Sequence, residues 1–417
     1  MRHLHTALSA LAVSAMGALL PMGAAGAASP APAIHHVVVI NLENESYATT
    51  FGHGSVATYL TGTLVPAGTL ITHYYGTAHM SLPNYLAEVS GQAPDPTTQA
   101  DCGGTFADVS PGTASTWGLG QVKAKRGCVY PTSVSTIADQ LDALDPPDET
   151  THLASWRAYE EDMGNDVARD GGATCAHPAI GASTTTSFAT ASDGYAARHD
   201  PFVWFHSVID RARVCRANVV PLGTLDHAGT PKASSPLVQD FSPTSTATTP
   251  AYAMITPSLC NDGHDAVCAS RSAAGGSTGG LRAADAWLRA WVPVLRASKA
   301  AQDGSLLVII TFDEASIFSP KAGASCCGEA SGPNVTSAGL GFGAGGGRVG
   351  ALLLGPPAVI VPGAKDTTDR FNHYSLLRTT EDLLGITTGG SDGQGHLGMA
   401  GAPSVASFGS GVFAPAP

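Results

Sequence analysis

Four short stretches of this chain hold side chains able to do chemistry together. Glu43-Asn44 directly follows the apolar run His35–Leu42, and Asp313-Glu314 directly follows the run Leu306–Phe312. Groups set just beyond two buried strands meet at the sheet edge where open parallel sheets bind ligands. Their oxygen donors suit a hard or borderline divalent cation. Ser81-Leu82-Pro83-Asn84-Tyr85 reads as the opening of a helix, with Ser81 as N-cap and Pro83 tolerated in the first turn. A helix start offers N–H groups and partial positive charge to a phosphate or carboxylate. A serine hydroxyl touching a cation there can lose its proton and attack. Asn261-Asp262-Gly263-His264-Asp265 puts two carboxylates and an imidazole within five residues, just after the apolar Ala253–Thr256. That cluster reads both as metal or phosphate chemistry and as a polar turn held by Cys260 and Cys268. His199 (in Arg198-His199-Asp200-Pro201) and His373 (ahead of the Tyr374 helix) are candidates by position, whereas His35, His36 and His53 read as ordinary.

The elements needed to position these groups are legible. His35–Leu42, Leu306–Phe312 and Val349–Leu354 are continuous apolar runs, the pattern of strands buried on both faces. Shorter strands are expected at Leu70–Tyr75, Phe202–Phe205, Val219–Leu222 and Ala253–Thr256. Helical spacing recurs at Pro83–Val89, Val134–Leu144, Ala283–Leu295 and Tyr374–Leu384, with Trp287, Leu288, Trp291 and Leu295 as core. Alternating strands and helices predict an α/β fold, a doubly wound, mostly parallel sheet with helices on both faces. Gly181–Gly194 and Ala228–Thr249 read as surface excursions. Gly339–Gly347 reads as a glycine loop, either at the site or on the plain surface. No repeat or linker divides residues 29–417, which are expected to form a single domain.

Composition narrows the function classes. The net charge is −12, with no basic run, which argues against nucleic acid as a partner and against polybasic membrane attachment. Arg2, the charge-free run Ala7 to Leu20 and Ala25-Gly26-Ala27 predict a secretory signal peptide over residues 1–28. The run is too short for a spanning helix, so no stable membrane anchor is expected. Export permits disulfides. All eight cysteines follow that segment, and proximity suggests Cys102–Cys128, Cys175–Cys215 and Cys260–Cys268. No H-E-x-x-H, Walker A or strand-to-helix G-x-S-x-G elbow is present.

An ordered set of motifs runs through the chain: VVVINLENESY (Val37–Tyr47), HMSLPNYLAEVSG (His79–Gly91), WRAYEEDM (Trp156–Met163), ARHDPFVWFH (Ala197–His206), TPSLCNDGHD (Thr256–Asp265), LLVIITFDE (Leu306–Glu314) and NHYSLLRTTEDLLGI (Asn372–Ile386). The set resembles the phosphoesterase family of secreted bacterial and fungal acid phosphatases. That family is related to phospholipases C and has the alkaline phosphatase superfamily fold. The resemblance implies a secreted, metal-dependent phosphomonoesterase working through a phosphoserine; some members act on phosphoinositides. The alternative is a phospholipase C or other phosphodiesterase acting on phospholipid head groups. ENESY in place of an ENRSFDH-like motif weakens that alternative, and no cysteine occupies the nucleophile position as in sulfatases. By resemblance Ser81 is the nucleophile, and Glu43, Asn44, Ser81, Asp313, Glu314 and Asp265 bind a divalent cation. The histidine–aspartate cluster could hold a second ion. Asn44, His199, Asp262, His264 and His373 complete the catalytic set, with the general acid open among His373, His199 and the Asp262–Asp265 cluster. One departure is His79-Met80-Ser81, where relatives often read His-Pro-Ser.

Overall fold

The apolar runs that lead into the two acid pairs become the two middle strands of an eight-stranded sheet. The computed structural model describes residues 34–110, 118–122, 125–147, 155–183, 189–190, 193–264, 268, 278–327 and 345–414. The expected signal peptide, Asp265 and residues 339–344 of the glycine loop lie outside them. The strands of the sheet are β1 (His36–Leu42), β2 (Thr69–Ile71), β3 (Trp156–Glu160), β4 (Val219–Pro221), β5 (Tyr252–Thr256), β6 (Leu306–Phe312), β7 (Ala351–Leu354) and β8 (Lys365–Asp366). Their order is β8-β2-β7-β6-β1-β5-β3-β4. β7 alone runs against its neighbours β6 and β2, so the sheet is mostly parallel, as the alternation of strands and helices predicts.

β1 pairs with β6 from His36↔Leu306 to Leu42↔Phe312. That register sets Glu43-Asn44 beside Asp313-Glu314. Successive residues Val37, Val38, Val39 and Ile40 are all fully buried, as are Leu307, Ile309 and Ile310, so both faces of these strands are covered. Each such side chain contributes roughly 1.5–3 kcal/mol of burial, which makes this pair the anchor of the fold.

Helix α1 spans Tyr47–Phe51, α2 Ser81–Ser90, α3 Ile137–Leu144, α4 Gly280–Ala297 and α5 His373–Leu383. Leu82, Tyr85, Leu86 and Val89 give α2 an apolar stripe at helical spacing, and Gly91, at φ 65°, ends it in the left-handed conformation. α2 packs against α5, whose N-cap Asn372 accepts from Ser375 N at 3.0 Å. Trp287, Leu288, Trp291 and Leu295 of α4 are buried in the core.

Two sequence expectations need correction. Phe202–Phe205 is not a strand: Pro201–Trp204 forms a 3-10 turn, because Pro201 presets the first helical φ and ring stacking (Phe202 on Trp156) supplies the packing. The run Leu70–Tyr75 breaks at Thr72-His73. Its second half, Tyr74–Tyr75, pairs instead with Phe371–Asn372 in a separate two-stranded sheet. β3 was not foreseen, since Arg157 interrupts its apolar pattern; the guanidinium escapes sideways to the Ala217 carbonyl and to Asp240. The excursion Ala228–Thr249 includes a short helix, Pro236–Asp240, that buries Leu237.

The structure joins Cys102 to Cys128, Cys175 to Cys215 and Cys260 to Cys268, and pairs the adjacent Cys326 and Cys327 with each other. Among the described residues no helix is long and apolar enough to cross a membrane.

Candidate active site

The chain approaches α2 through a turn that few sequences could hold. Met80 is the N-cap at φ 75°, a left-handed value that costs a side-chain-bearing residue of order 1–3 kcal/mol. Asn84 offsets that strain. Its Oδ1 accepts from Thr77 N (2.8 Å), Ala78 N (3.0 Å) and Thr77 Oγ1 (2.9 Å), while its Nδ2 donates to the Ala78 and Met80 carbonyls (both 3.0 Å). Ser81 is therefore the first helical residue and not the N-cap that its type suggested. Its hydroxyl is freed from capping and donates to Glu43 Oε2 at 2.8 Å.

Glu43 is the hub. It is fully buried, and besides Ser81 it accepts from Asn44 Nδ2 (3.1 Å) and the Tyr85 hydroxyl (2.8 Å). Asn44, at φ 58°, turns its backbone N–H onto Asp313 Oδ1 (2.9 Å), which also accepts from Glu314 N (2.6 Å). Glu314 bonds His79 Nδ1 and accepts from Met80 N at 3.0 Å. Asp262 joins through its backbone, whose carbonyl accepts from Glu43 N at 2.8 Å. His199 sits with Nε2 3.4 Å from Glu43 Oε1 and Nδ1 3.9 Å from Asp262 Oδ2, its ring stacked on Tyr85 at 5.3 Å.

So many buried acids raise one another. Burial, then Glu43 and Glu314, holds the Asp313 carboxyl well above its ordinary range. Burial raises Glu43, opposed by His264 and Arg198, and pushes Glu314 up to about 7 against the help of His79. His199 is driven well below its usual value by burial and by Arg198 and His264, so its imidazole is neutral.

The mouth is a cavity of about 900 Å³ lined by Asn44, Ser81, Asp101, Arg198, His264 and Glu314, among others. Ile317 and Phe318 form part of its rim, and Phe318 is 91% exposed. The amides at the start of α2 were expected to receive an anion, yet two carboxylates take them: Leu82 N donates to Asp101 Oδ1 (3.1 Å) and Met80 N to Glu314. The basic side chains that line the cavity are Arg198 and His264.

His373 lies elsewhere. It is fully buried behind the acids, with Nε2 2.6 Å from the Asp313 carbonyl and Nδ1 2.7 Å from Glu88 Oε1 and 3.0 Å from the Tyr74 hydroxyl. It is not among the residues that line the cavity, and its ring nitrogen supports the Asp313 carbonyl. Of the remaining sequence candidates, Glu43, Asn44, Ser81, His199, Asp262, His264, Asp313 and Glu314 come together; Asp265 lies outside the described residues. Sequence reading missed Tyr85, Glu88 and Asn84. Tyr85 and Glu88 stand four and seven residues beyond Ser81, the spacing of one helix face, and that was the available signal.

The donor set fits a divalent cation. Asp313 Oδ2 is buried with no hydrogen-bond partner among the described residues, and the Glu43 and Glu314 carboxyls stand close to it. The acids are at present bonded to their neighbours: among the described residues no three His, Cys, Asp or Glu groups form a ready-made cage.

Comparison with known proteins gives a consistent relationship. Residues 55–387 match the profile of the Phosphoesterase family, so Glu43 and Asn44 lie just ahead of the matched segment. The phosphate-repressible acid phosphatase of Penicillium chrysogenum is 24% identical over 329 residues, 78% of this chain and 53% of that protein. A probable acid phosphatase of Kluyveromyces lactis is 24% identical over 352 residues, 82% of this chain and 56% of that one. The chain thus spans about half the length of the curated relatives it matches. Among solved structures, a member of the alkaline phosphatase superfamily from Vibrio parahaemolyticus overlays loosely, with TM-score 0.43 and 12% identity over 85% of this chain and 69% of that one.

Proposed function

Because the chain belongs to the Phosphoesterase family, we propose that it is a phosphomonoesterase in which Ser81 is the nucleophile. The observation that carries this reading is the Ser81 hydroxyl, at the cavity wall and 2.8 Å from the buried Glu43 carboxylate. Glu43 Oε2 takes the serine proton as Oγ attacks phosphorus. The Oγ–P bond forms while the bond from phosphorus to the alcohol oxygen breaks. His264, which faces the cavity, gives the departing oxygen its proton. A water then attacks the phosphoserine and gives a proton back to His264, the P–Oγ bond breaks, and Glu43 returns the other proton to Ser81. Arg198 and Asn44 hold the phosphoryl oxygens, and buried, neutral His199 fixes Glu43 from behind. Glu43, Asn44, Ser81, Asp313 and Glu314 would hold a divalent ion. Once bound it supplies Lewis acidity, lowering the serine pKa and offsetting phosphoryl charge.

The cavity volume leaves room for substituted esters, phosphoinositide head groups included. Export, with residues 29–417 as one phosphoesterase domain, is supported by the N-terminal apolar run and by four disulfides. Exposed Phe318 at the rim favours a second reading, a phosphodiesterase that accepts an apolar lipid leaving group.

The test compares p-nitrophenyl phosphate with p-nitrophenyl phosphorylcholine, from acidic to alkaline pH, with and without chelator, for the wild type and Ser81→Ala. Chelator-sensitive turnover of the monoester, lost in Ser81→Ala, is expected. Turnover of the choline ester alone would move the chain to the second reading. A folded Ser81→Ala protein with full activity would end the serine assignment.

A further inference from the structure

Beside the active-site cavity lies a second one, of about 420 Å³. The two share Ser46, Ala48, Ser319 and Pro320 in their walls, so they open along one rim. Their electrostatics are opposite. The first is walled by acids; the second includes Arg348, Lys321 and His73 and no Asp or Glu among its described lining. In a chain of net charge −12 such a concentration of unneutralised donors is unusual.

The glycine segment builds it. Gly346 approaches the preceding turn so closely that a Cβ would come 2.2 Å from the Ala78 carbonyl, and Gly346 N donates to the Gly76 carbonyl at 2.9 Å. That contact delivers Arg348 opposite Tyr75, while its carbonyl accepts from Tyr47 N at 2.8 Å. The Arg348 guanidinium then lies on the Tyr47 ring, 4.1 Å from its centroid. Among the described residues it has no hydrogen-bond or ion-pair partner, and neither does the Lys321 ammonium; the buried Nδ1 of His73 is also unpartnered. A half-buried guanidinium held over an aromatic ring, with its N–H groups unspent, is prepared for a phosphate or similar oxyanion.

We propose that this cavity is a subsite for a second phosphate group on the substrate, so that the enzyme prefers bisphosphorylated esters whose second phosphate reaches Arg348 and Lys321. This rests on the phosphomonoesterase reading above.

The test uses a series of α,ω-alkanediol bisphosphates, each against the matching alkyl monophosphate. In the wild type at least one chain length should show a tenfold or greater advantage in kcat/KM for the bisphosphate. In Arg348→Met/Lys321→Met the advantage should fall to within twofold, with p-nitrophenyl phosphate turnover unchanged. Calorimetry with non-hydrolysable alkane bisphosphonates and monophosphonates reads the subsite independently of turnover. Tenfold tighter bisphosphonate binding, lost in the double variant, would uphold the subsite even if no ester were hydrolysed and the phosphatase reading failed. No gain from the second phosphonate at any length overturns the proposal. So does Arg348-dependent binding of inorganic phosphate alone with no gain from spanning ligands, since the site would then take free phosphate.

Discussion

Replacing Glu88 should damage the site from behind, without touching substrate. His373 Nε2 faces only the Asp313 carbonyl, an acceptor, so that nitrogen carries a proton. Nδ1 lies 2.7 Å from Glu88 Oε1, a close contact that is not aligned as a hydrogen bond, and 3.0 Å from the Tyr74 hydroxyl, while Glu88 Oε2 accepts from Asn41 Nδ2 at 3.0 Å. All these side chains are fully buried. Glu88→Ala takes the carboxylate away from the His373 ring and leaves the Asn41 amide without its acceptor in the core. Removing one partner of a buried pair costs about 3–5 kcal/mol. Glu88→Gln keeps the shape of the side chain and can still accept from Asn41 through its carbonyl, with its NH₂ beside His373. Its cost should be about 1 kcal/mol, the net worth of a typical hydrogen bond. Denaturant unfolding with linear extrapolation measures both. The same variants should differ in catalysis, because the Asp313 carbonyl is no longer held: a shift near 1 Å at a reacting centre can cost about 100-fold. We expect a large loss of kcat/KM in Glu88→Ala and most of it recovered in Glu88→Gln. An alanine variant within about 1 kcal/mol of wild type, a change small enough for a neutral bond, would refute the buried pair. So would a glutamine variant as damaged as the alanine.

Three further outcomes are expected. Tyr85→Phe removes one of three donors to Glu43 and keeps the ring on His199; kcat/KM should drop roughly tenfold, the worth of one hydrogen bond to a charged group, with stability nearly unchanged. Burial pushes Asp200 up to about 7 and Glu160 well above its ordinary value. Both carboxyls hold their protons in the folded chain and lose them on unfolding at moderate pH. Stability should therefore fall by roughly 1.4 kcal/mol per pH unit per group from the carboxylate range up to about 7, and Asp200 then adds no further slope. Asp200→Asn should flatten that fall in a series of thermal melts, and an unaltered slope would discard the assignment. Cys102→Ser/Cys128→Ser opens a loop of 26 residues, which loop entropy values at about 3.5 kcal/mol. Because Asp101 next to it caps Leu82 N, KM for p-nitrophenyl phosphate should rise in the same variant, and an unchanged KM would separate the bridge from the site.

The sequence made the middle of the fold legible because strands buried on both faces leave unbroken apolar runs: His36–Leu42 and Leu306–Phe312 announce themselves, and the acids at their ends go with them. It hid what depends on local geometry. An apolar string such as Phe202–Phe205 suits a strand or a turn, and Pro201 tipped it to a turn. Type and position single out His373, but the direction of its ring is set by Glu88 and Tyr74, residues nearly 300 positions away in the chain. Ser81 was found by type and misplaced by one position, since no pattern foretells the left-handed Met80.

The pairing of β1 with β6 has a consequence for the timing of synthesis. Glu43 leaves the ribosome about 270 residues before its partner Asp313, so a growing chain owns its serine and one acid long before the second acid pair exists. The central strand must wait unpaired on that side, and long-range parallel pairing is slow to form. On the proposed function an incomplete chain is catalytically silent, and a truncation between Ser81 and β6 yields a product with the serine but without the second acid pair. On that reading, activity would report that the chain has been made and folded at least through Glu314.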